Sequence, residues 1–234
     1  MKRFLSALKV YILKAKAERG NAESQFDLAL CYALGEGVTQ NYCEAVNWFC
    51  KAAEQGYAVN CAVVAESYRK AAEQGHAEAQ FNLALRYAHG KGVTKDVYEA
   101  VNWLRKAAEQ GHVKAQYNLA WNYYKGVLVT KNLAEAVKWF RNAAEQGDVN
   151  AQCSLFNCYY NGEGVTQDAV EAVKWCRKAA EQGNAEAQYT LAQCYHRGKG
   201  VTKDTAEAVK WYRLAAQQGI SEAKRVLSDM GKTW

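Results

Sequence analysis

In residues 76–111 the apolar positions fall into two runs with helical spacing, parted by glycines. Ala79, Leu83, Ala84 and Tyr87 stand at i, i+4, i+5 and i+8, one face of a helix with 3.6 residues per turn. Gly90 and Gly92 stop that helix, since glycine takes the left-handed backbone found at helix ends. The second run starts after Asp96, which with Glu99 three residues later reads as a capping box. Ala100, Trp103, Leu104, Ala107 and Ala108 then match i, i+3, i+4, i+7 and i+8, so this helix buries a broad stripe. Gly111 closes it. The pattern predicts a hairpin of two short helices, with alanines that let the axes approach closely.

The hairpin recurs. Each copy ends in AAEQG or AAQQG, closing at Gly56, Gly75, Gly111, Gly147, Gly183 and Gly219. From Gly75 onward the period is 36, an earlier unit runs from Gly20 to Gly56, and only the interval from Gly56 to Gly75 is short, at 19. The cap returns as Asn41/Glu44, Asn132/Glu135, Asp168/Glu171 and Asp204/Glu207; the tryptophan returns as Trp48, Trp139, Trp175 and Trp211, at the spacing of a buried face. A fixed period of this length signals stacked repeats and not one globular core. The expected fold is all-α, a solenoid of antiparallel helix pairs.

The units divide the chain as follows. Residues 1–19 form an N-terminal capping helix with Leu5, Leu8, Ile12 and Ala15 turned inward; 20–56 is the first repeat; 57–75 is a truncated repeat; 76–219 is a regular four-repeat stretch; 220–234 is a C-terminal capping helix and tail. Segment 57–75 lacks both turn glycines and reads as one continuous helix, and its start, AVNCAVVA, is apolar on nearly all sides. One helix in place of two reverses the up-down order and predicts a kink or junction there. Leu128 replaces the second turn glycine of its unit and predicts a distorted turn. Cys153 and Cys176 stand where other units have larger side chains, which predicts an under-packed spot, with a Cys153–Cys176 bridge as the alternative.

The repeat, A-x-A-Q-Y-x-L-A-x-x-Y-x-x-G-x-G-V-x-x-D-x-x-E-A-V-x-W-x-x-K-A-A-E-Q-G, resembles the Sel-one-like repeat, a relative of the tetratricopeptide repeat, over about residues 20–230. The resemblance implies a right-handed superhelix whose first helices line the concave side. It also implies an adaptor or scaffold role in protein complexes, often in bacterial signalling and host contact. The cysteine-rich, secreted branch of that family spaces its cysteines regularly to tie neighbouring helices, and this chain does not.

Charge changes the picture at one end only. Of the net +6, residues 1–20 carry +5, from Lys2, Arg3, Lys9, Lys14, Lys16 and Arg19 against Glu18. The near-neutral remainder argues against a phosphate-binding surface, hence against nucleic acid. The basic start admits a membrane-associated scaffold as an alternative. A signal peptide does not fit, because Lys9 interrupts FLSALKVYIL and no small-residue cleavage site follows. Of eight cysteines, Cys31, Cys158 and Cys194 occupy equivalent positions before a tyrosine. Equivalent sites on stacked helices lie roughly 9–10 Å apart, too far for a disulfide. A reducing, cytoplasmic location is expected, with a secreted effector lacking a cleavable signal as the alternative.

Catalytic patterns are sparse. The four histidines are scattered, no metal-ligand spacing or cofactor motif occurs, and the two S-x-x-K matches, Ser6/Lys9 and Ser221/Lys224, lie on the capping helices without companion motifs. A hydrolase using such a serine is the enzymatic alternative. The stronger signal is a variable stripe on the first helices: Asp27, Asn82, Asn118, Ser154 and Thr190; three residues on, Leu30, Leu85, Trp121, Asn157 and Gln193; four further, Leu34, His89, Lys125, Asn161 and Arg197. Small polar side chains suit hydrogen bonding to an extended peptide, and Trp121 reads either as an interface anchor or as a ring folded against Tyr124 or the altered turn near Leu128. The expected function is non-catalytic binding of a protein or peptide by a monomer, with Asn82, Leu85, Asn118, Trp121, Asn122, Ser154 and Asn157 as contacts.

Overall fold

The computed structural model describes residues 2–57 and 62–233, with side chains in the first helix from residue 7 onward. Thirteen α-helices and no strand occur among the described residues. They are α1 (Lys2–Glu18), α2 (Ala22–Leu34), α3 (Tyr42–Glu54), α4 (Ala62–Glu73), α5 (Ala77–His89), α6 (Val97–Glu109), α7 (Val113–Lys125), α8 (Leu133–Glu145), α9 (Val149–Asn161), α10 (Ala169–Glu181), α11 (Ala185–Arg197), α12 (Thr205–Gln217) and α13 (Ser221–Asp229). The chain packs as two compact units, residues 1–115 and 116–234. In the first, α1 to α5 each pack on the helix that follows; in the second, α8 to α12 do the same. The architecture is a helical-repeat solenoid of consecutive hairpins.

The alanine, leucine and aromatic stripes form the core. In the unit read first, Ala79, Leu83, Ala84, Ala100, Leu104, Ala107 and Ala108 are buried, while Tyr87 and Trp103 are half-buried. Trp48, Trp175 and Trp211 are buried, and Lys51, Lys106 and Lys178 each lie about 4 Å over the tryptophan three residues before them.

The closing sequence AAEQG has a structural purpose. The amide of the last glutamine donates to the buried glutamine of its own first helix, in the pairs Gln55–Gln25, Gln110–Gln80, Gln146–Gln116, Gln182–Gln152 and Gln218–Gln188, at 2.7–2.9 Å. The buried glutamine in turn donates to a carbonyl of the preceding second helix: Gln25 to Ala17, Gln80 to Ala72, Gln152 to Ala144 and Gln188 to Ala180. Polar groups inside a core are tolerated when satisfied in this way.

The caps are half as expected. Asn41, Asp96, Asn132, Asp168 and Asp204 accept from the N–H of the glutamate three residues on. The N–H of each cap residue donates to the carbonyl of the first-helix tyrosine, Tyr32, Tyr87, Tyr123, Tyr159 and Tyr195 respectively. The glutamates Glu135, Glu171 and Glu207 instead pair with lysines three residues on. Asn21, His76, His112, Asp148 and Asn184 cap the first helices, so the two histidines have a use that sequence reading did not assign.

Three expectations need correction or refinement. The inward face of α1 is Val10, Leu13 and Ala17, not the face expected: Leu8 and Ile12 are 47% and 48% exposed, Ala15 is half-buried, and Leu5's side chain lies outside the described residues. Val10, Leu13 and Ala17 align with Val101, Leu104 and Ala108 of the repeat, so α1 keeps the register of a second helix. The ring missing at Cys153 has a counterpart three residues on, where Phe156 replaces the alanine found at 29, 84, 120 and 192. Both Cys153 and Phe156 pack on the core of their unit, so volume has moved along one helix face instead of being lost. Cys153 and Cys176 are free thiols, and Cys176 donates to the Ala187 carbonyl.

At the turns, Gly164 and Gly200 have φ of +75°, and a Cβ there would collide with the carbonyls of Leu133 and Ala169. No described non-glycine residue has positive φ, so Leu128 leaves the backbone state of its equivalents. Of the truncated repeat, residues 58–61, the first half of the apolar start, lie outside the described residues. The remainder is a single helix, α4, packed between α3 and α5.

Candidate functional site

Within residues 116–234, a groove of about 290 Å³ opens between the first helices of consecutive repeats, α9 and α11. From α9 come Phe156, Asn157, Tyr160 and Asn161, at i, i+1, i+4 and i+5; from α11 come Thr190, Gln193, Cys194 and Arg197, and from the following turn Lys199. Five of these residues, Asn157, Asn161, Thr190, Gln193 and Arg197, belong to the variable stripe. The core pattern turns the same helical face out in each repeat, so the stripe becomes one wall of a groove on α9 and the other on α11.

The floor is apolar and the rim polar. Phe156 and Tyr160 have ring centroids 5.1 Å apart. Lys199 lies 3.7 Å over the Tyr160 ring. Cys194 is buried, and burial pushes its thiol up from the usual range. No carboxylate lines the groove, and neither Arg197 nor Lys199 makes an ion pair among the described residues.

Of the seven expected contact residues, Asn157 lines this groove and is exposed. Ser154, three residues before it, donates back to the Asn150 carbonyl. Trp121 is half-buried in an aromatic cluster, edge-on to Tyr124 at 5.2 Å, to Phe140 at 5.9 Å and to Tyr117 at 6.3 Å. Trp121 packs against Tyr124 and remains half-exposed. Asn122 donates to the Asn118 carbonyl, and Asn118 is half-buried on the same helix. In the unit 1–115, Leu85 is half-buried, and the Asn82 amide donates to the backbone and side chain of Glu78 and to Cys50. Sequence reading passed over Phe156, Tyr160 and Lys199. The signal for the first was a phenylalanine at an alanine position of the repeat.

The thiols and tyrosines are poorly placed for chemistry. Burial pushes Cys50 and Cys158 up to about 11 and Cys176 further, so these thiols stay protonated near neutrality. The Tyr124 hydroxyl donates to Glu163 at 2.6 Å, and that bond pushes its pKa up to about 12. Ser221 is exposed and donates to Glu222; the side chain of Ser6 lies outside the described residues. Among the described residues no group of three His, Cys, Asp or Glu side chains is placed to hold a metal ion. No described helix is long and apolar enough to cross a membrane.

Comparison with known proteins agrees with the repeat. The Sel1 repeat family model matches residues 22–57, 68–76, 77–112, 113–148, 149–184 and 185–220. Among solved structures, c5321, a protective antigen of uropathogenic Escherichia coli strains displaying an SLR fold, superposes with a TM-score of 0.69 at 35% identity over 92% of this chain. A Sel1 repeat protein from Oxalobacter formigenes superposes with a TM-score of 0.68 at 34% identity over 93% of this chain. The chain spans 50% of the first structure's length and 68% of the second's. No curated protein sequence matches. Repeats of this kind generally serve as non-catalytic scaffolds for protein–protein interaction.

Proposed function

Because the chain belongs to the Sel1 repeat family, we propose that it is a non-catalytic adaptor that binds a peptide or protein segment on the exposed faces of its first helices. The observation that carries this reading is the groove between α9 and α11, whose walls are the variable stripe of two consecutive repeats. A solenoid keeps its core residues constant and varies its surface, so a stripe that changes from unit to unit is where specificity belongs. Asn157 is the central contact, with Ser154 beside it and Asn118, Trp121 and Asn122 extending the stripe on α7. In the unit 1–115, Asn82 and Leu85 are the equivalent surface. The amides donate and accept together, which matches an extended peptide backbone. The Escherichia coli relative is described as a protective antigen, and a role in bacterial signalling or host contact is the biological setting that fits. A reducing, cytoplasmic location belongs to the same proposal, argued from cysteines that recur at equivalent repeat positions too far apart to bridge.

The test is capture of partners by the wild type and by an Asn157→Trp/Gln193→Trp variant with an unchanged melting midpoint. Loss of captured protein in the variant is expected. Equal capture by both would move the site off this groove. Trp121→Ala is unsuited to the purpose, because it removes a ring from the aromatic cluster.

A membrane-recruited scaffold is the second reading, and one observation favours it. The outward side of α1 carries Leu8, Tyr11 and Ile12, with Tyr11 74% exposed, beside Lys9, Lys14 and Lys16. Salt-sensitive binding to anionic vesicles, lost on deletion of residues 1–19, is its expected mark; no binding at low salt would dismiss it.

A further inference from the structure

We propose that the outward face of α1 docks an acidic amphipathic helix, which pairs with α1 along an apolar seam and sets carboxylates against Lys9 and Lys16. This surface is separate from the first-helix face and does not depend on it.

The register of α1 is that of a second helix, but its polarity is inverted. Ala100 and Ala107 of α6 are buried, as are the alanines at the same positions of α3, α8, α10 and α12; α1 has Lys9 and Lys16 there. Where those five helices carry a glutamate, such as Glu99, α1 has Leu8, and where they carry asparagine or lysine it has Tyr11. The result is a helix with two apolar sides. Val10, Leu13 and Ala17 belong to the core that α1 shares with α2. Leu8, Ile12 and Ala15 stand on the opposite side at i, i+4 and i+7, the 3.5-residue spacing of a two-helix seam, and Leu8 and Ile12 are exposed. The contrast is α13, whose exposed side chains are Ser221, Glu222, Arg225, Ser228 and Asp229, none of them large and apolar.

The same residues select the occupant. A first helix, whether of a second copy or of another repeat, approaches a second helix over its two alanines, and Lys9 and Lys16 block that approach. A second α1 would bring Lys9, Lys14, Lys16 and Arg19 against the same four cations, with only Glu18 to offset them. An anionic bilayer is flat, and on the Lys9 side it meets Asp27 and Glu36, which act with Lys9 on the Cys31 thiol. A single helix covers the seam alone. Glutamates flanking its own apolar stripe reach Lys9 and Lys16, which are exposed, seven residues apart on one flank of the seam, and in no ion pair among the described residues. Such flanking charges set the choice of partner in paired helices.

The probe is a fluorescein-labelled three-heptad peptide with Leu at the a and d positions and Glu at e and g. A lysine version with the same seam and a scramble of the acidic peptide are the controls. Anisotropy is measured with the full chain as wild type, as Lys9→Glu/Lys16→Glu and as Leu8→Ser/Ile12→Ser, each checked by circular dichroism and melting midpoint. The wild type is expected to favour the acidic over the lysine peptide by about tenfold or more at low salt, and less as salt rises. The charge-reversed variant is expected to favour the lysine peptide, a reversal that loss of structure does not produce, and the serine variant to bind neither. Asn157→Trp/Gln193→Trp is expected to leave the acidic peptide bound, which separates this face from the α9/α11 groove whichever of the two readings fails. The proposal is overturned if the wild type binds the scramble as tightly as the acidic helix, if charge reversal leaves the preference unchanged, or if neither heptad peptide binds. Binding of phosphatidylglycerol-containing vesicles without binding of the acidic helix overturns it in favour of a membrane.

Discussion

At the scale of the residue, the two glutamines of each repeat show how a polar pair becomes part of a core. Gln188 bridges the Ala180 carbonyl and the amide of Gln218, so it touches the preceding repeat and the end of its own. The Ala180 carbonyl keeps the Gly183 N–H, but Gln188→Leu removes its side-chain donor and the acceptor of the Gln218 amide, and chemical denaturation is expected to show a loss of about 1–3 kcal/mol. Adding Gln218→Leu is expected to cost less than the sum of the two, because each removes part of the same network. The repetition of these glutamines was visible in the sequence, but their purpose was not, since the partner lies 30 residues away. His112 was equally opaque: it caps α7 through Nδ1, stacks on Phe81 and donates from Nε2 to Glu78 at 2.8 Å. The bond to His112, followed by that to Asn82, holds the Glu78 carboxyl below its ordinary value of 4.5. A depressed carboxylate stabilises the fold above its unfolded pKa and loses that contribution as pH falls through the folded one. In a pH series of melting midpoints, the advantage of wild type over Glu78→Gln should be full near neutrality and shrink in acid below about pH 4.5. An advantage independent of pH would show that the pair has no electrostatic part.

At the scale of the element, the helices were legible because each carries its own start, stripe and stop. The second-helix caps Asn41, Asp96, Asn132, Asp168 and Asp204 all accept the bond that their spacing to glutamate foretold. The return bond was misread, since the cap N–H faces the tyrosine carbonyl of the neighbouring helix, and such a tertiary contact leaves no local trace. The face of α1 was misread for a related reason. Leu8 and Ile12 make as good an apolar stripe as Val10, Leu13 and Ala17, and only the repeat register decides between them. In α9 the aromatic ring has shifted from position 153 to 156, one turn along the same side. Phe156→Ala is expected to cost about 2–3 kcal/mol in denaturant, below the range for a fully buried ring. Adding Cys153→Tyr, which restores the repeat pattern, should recover most of that loss. If the double variant is no more stable than the single, the two positions do not share one space.

At the scale of the whole molecule, stacking turns a weak sequence signal into a surface. In the sequence, Asn157, Asn161, Thr190, Gln193 and Arg197 form a stripe on each of two short helices; packing of consecutive repeats makes them opposite walls of one groove. The fold class followed from period and punctuation. The groove was legible only in part: Trp121 and Asn82 also have partners inside the protein, and a stripe alone does not say which of its members meet a ligand. The central claim is that partners meet the first-helix face. The most direct measurement places a photo-reactive amino acid singly at Asn157 and Gln193, and at the exposed second-helix positions Lys138, Lys174 and Lys210, and maps the cross-linked protein in native lysate. Cross-links from the first two positions and none from the other three are the expected result. Cross-links confined to the second-helix positions would contradict the account.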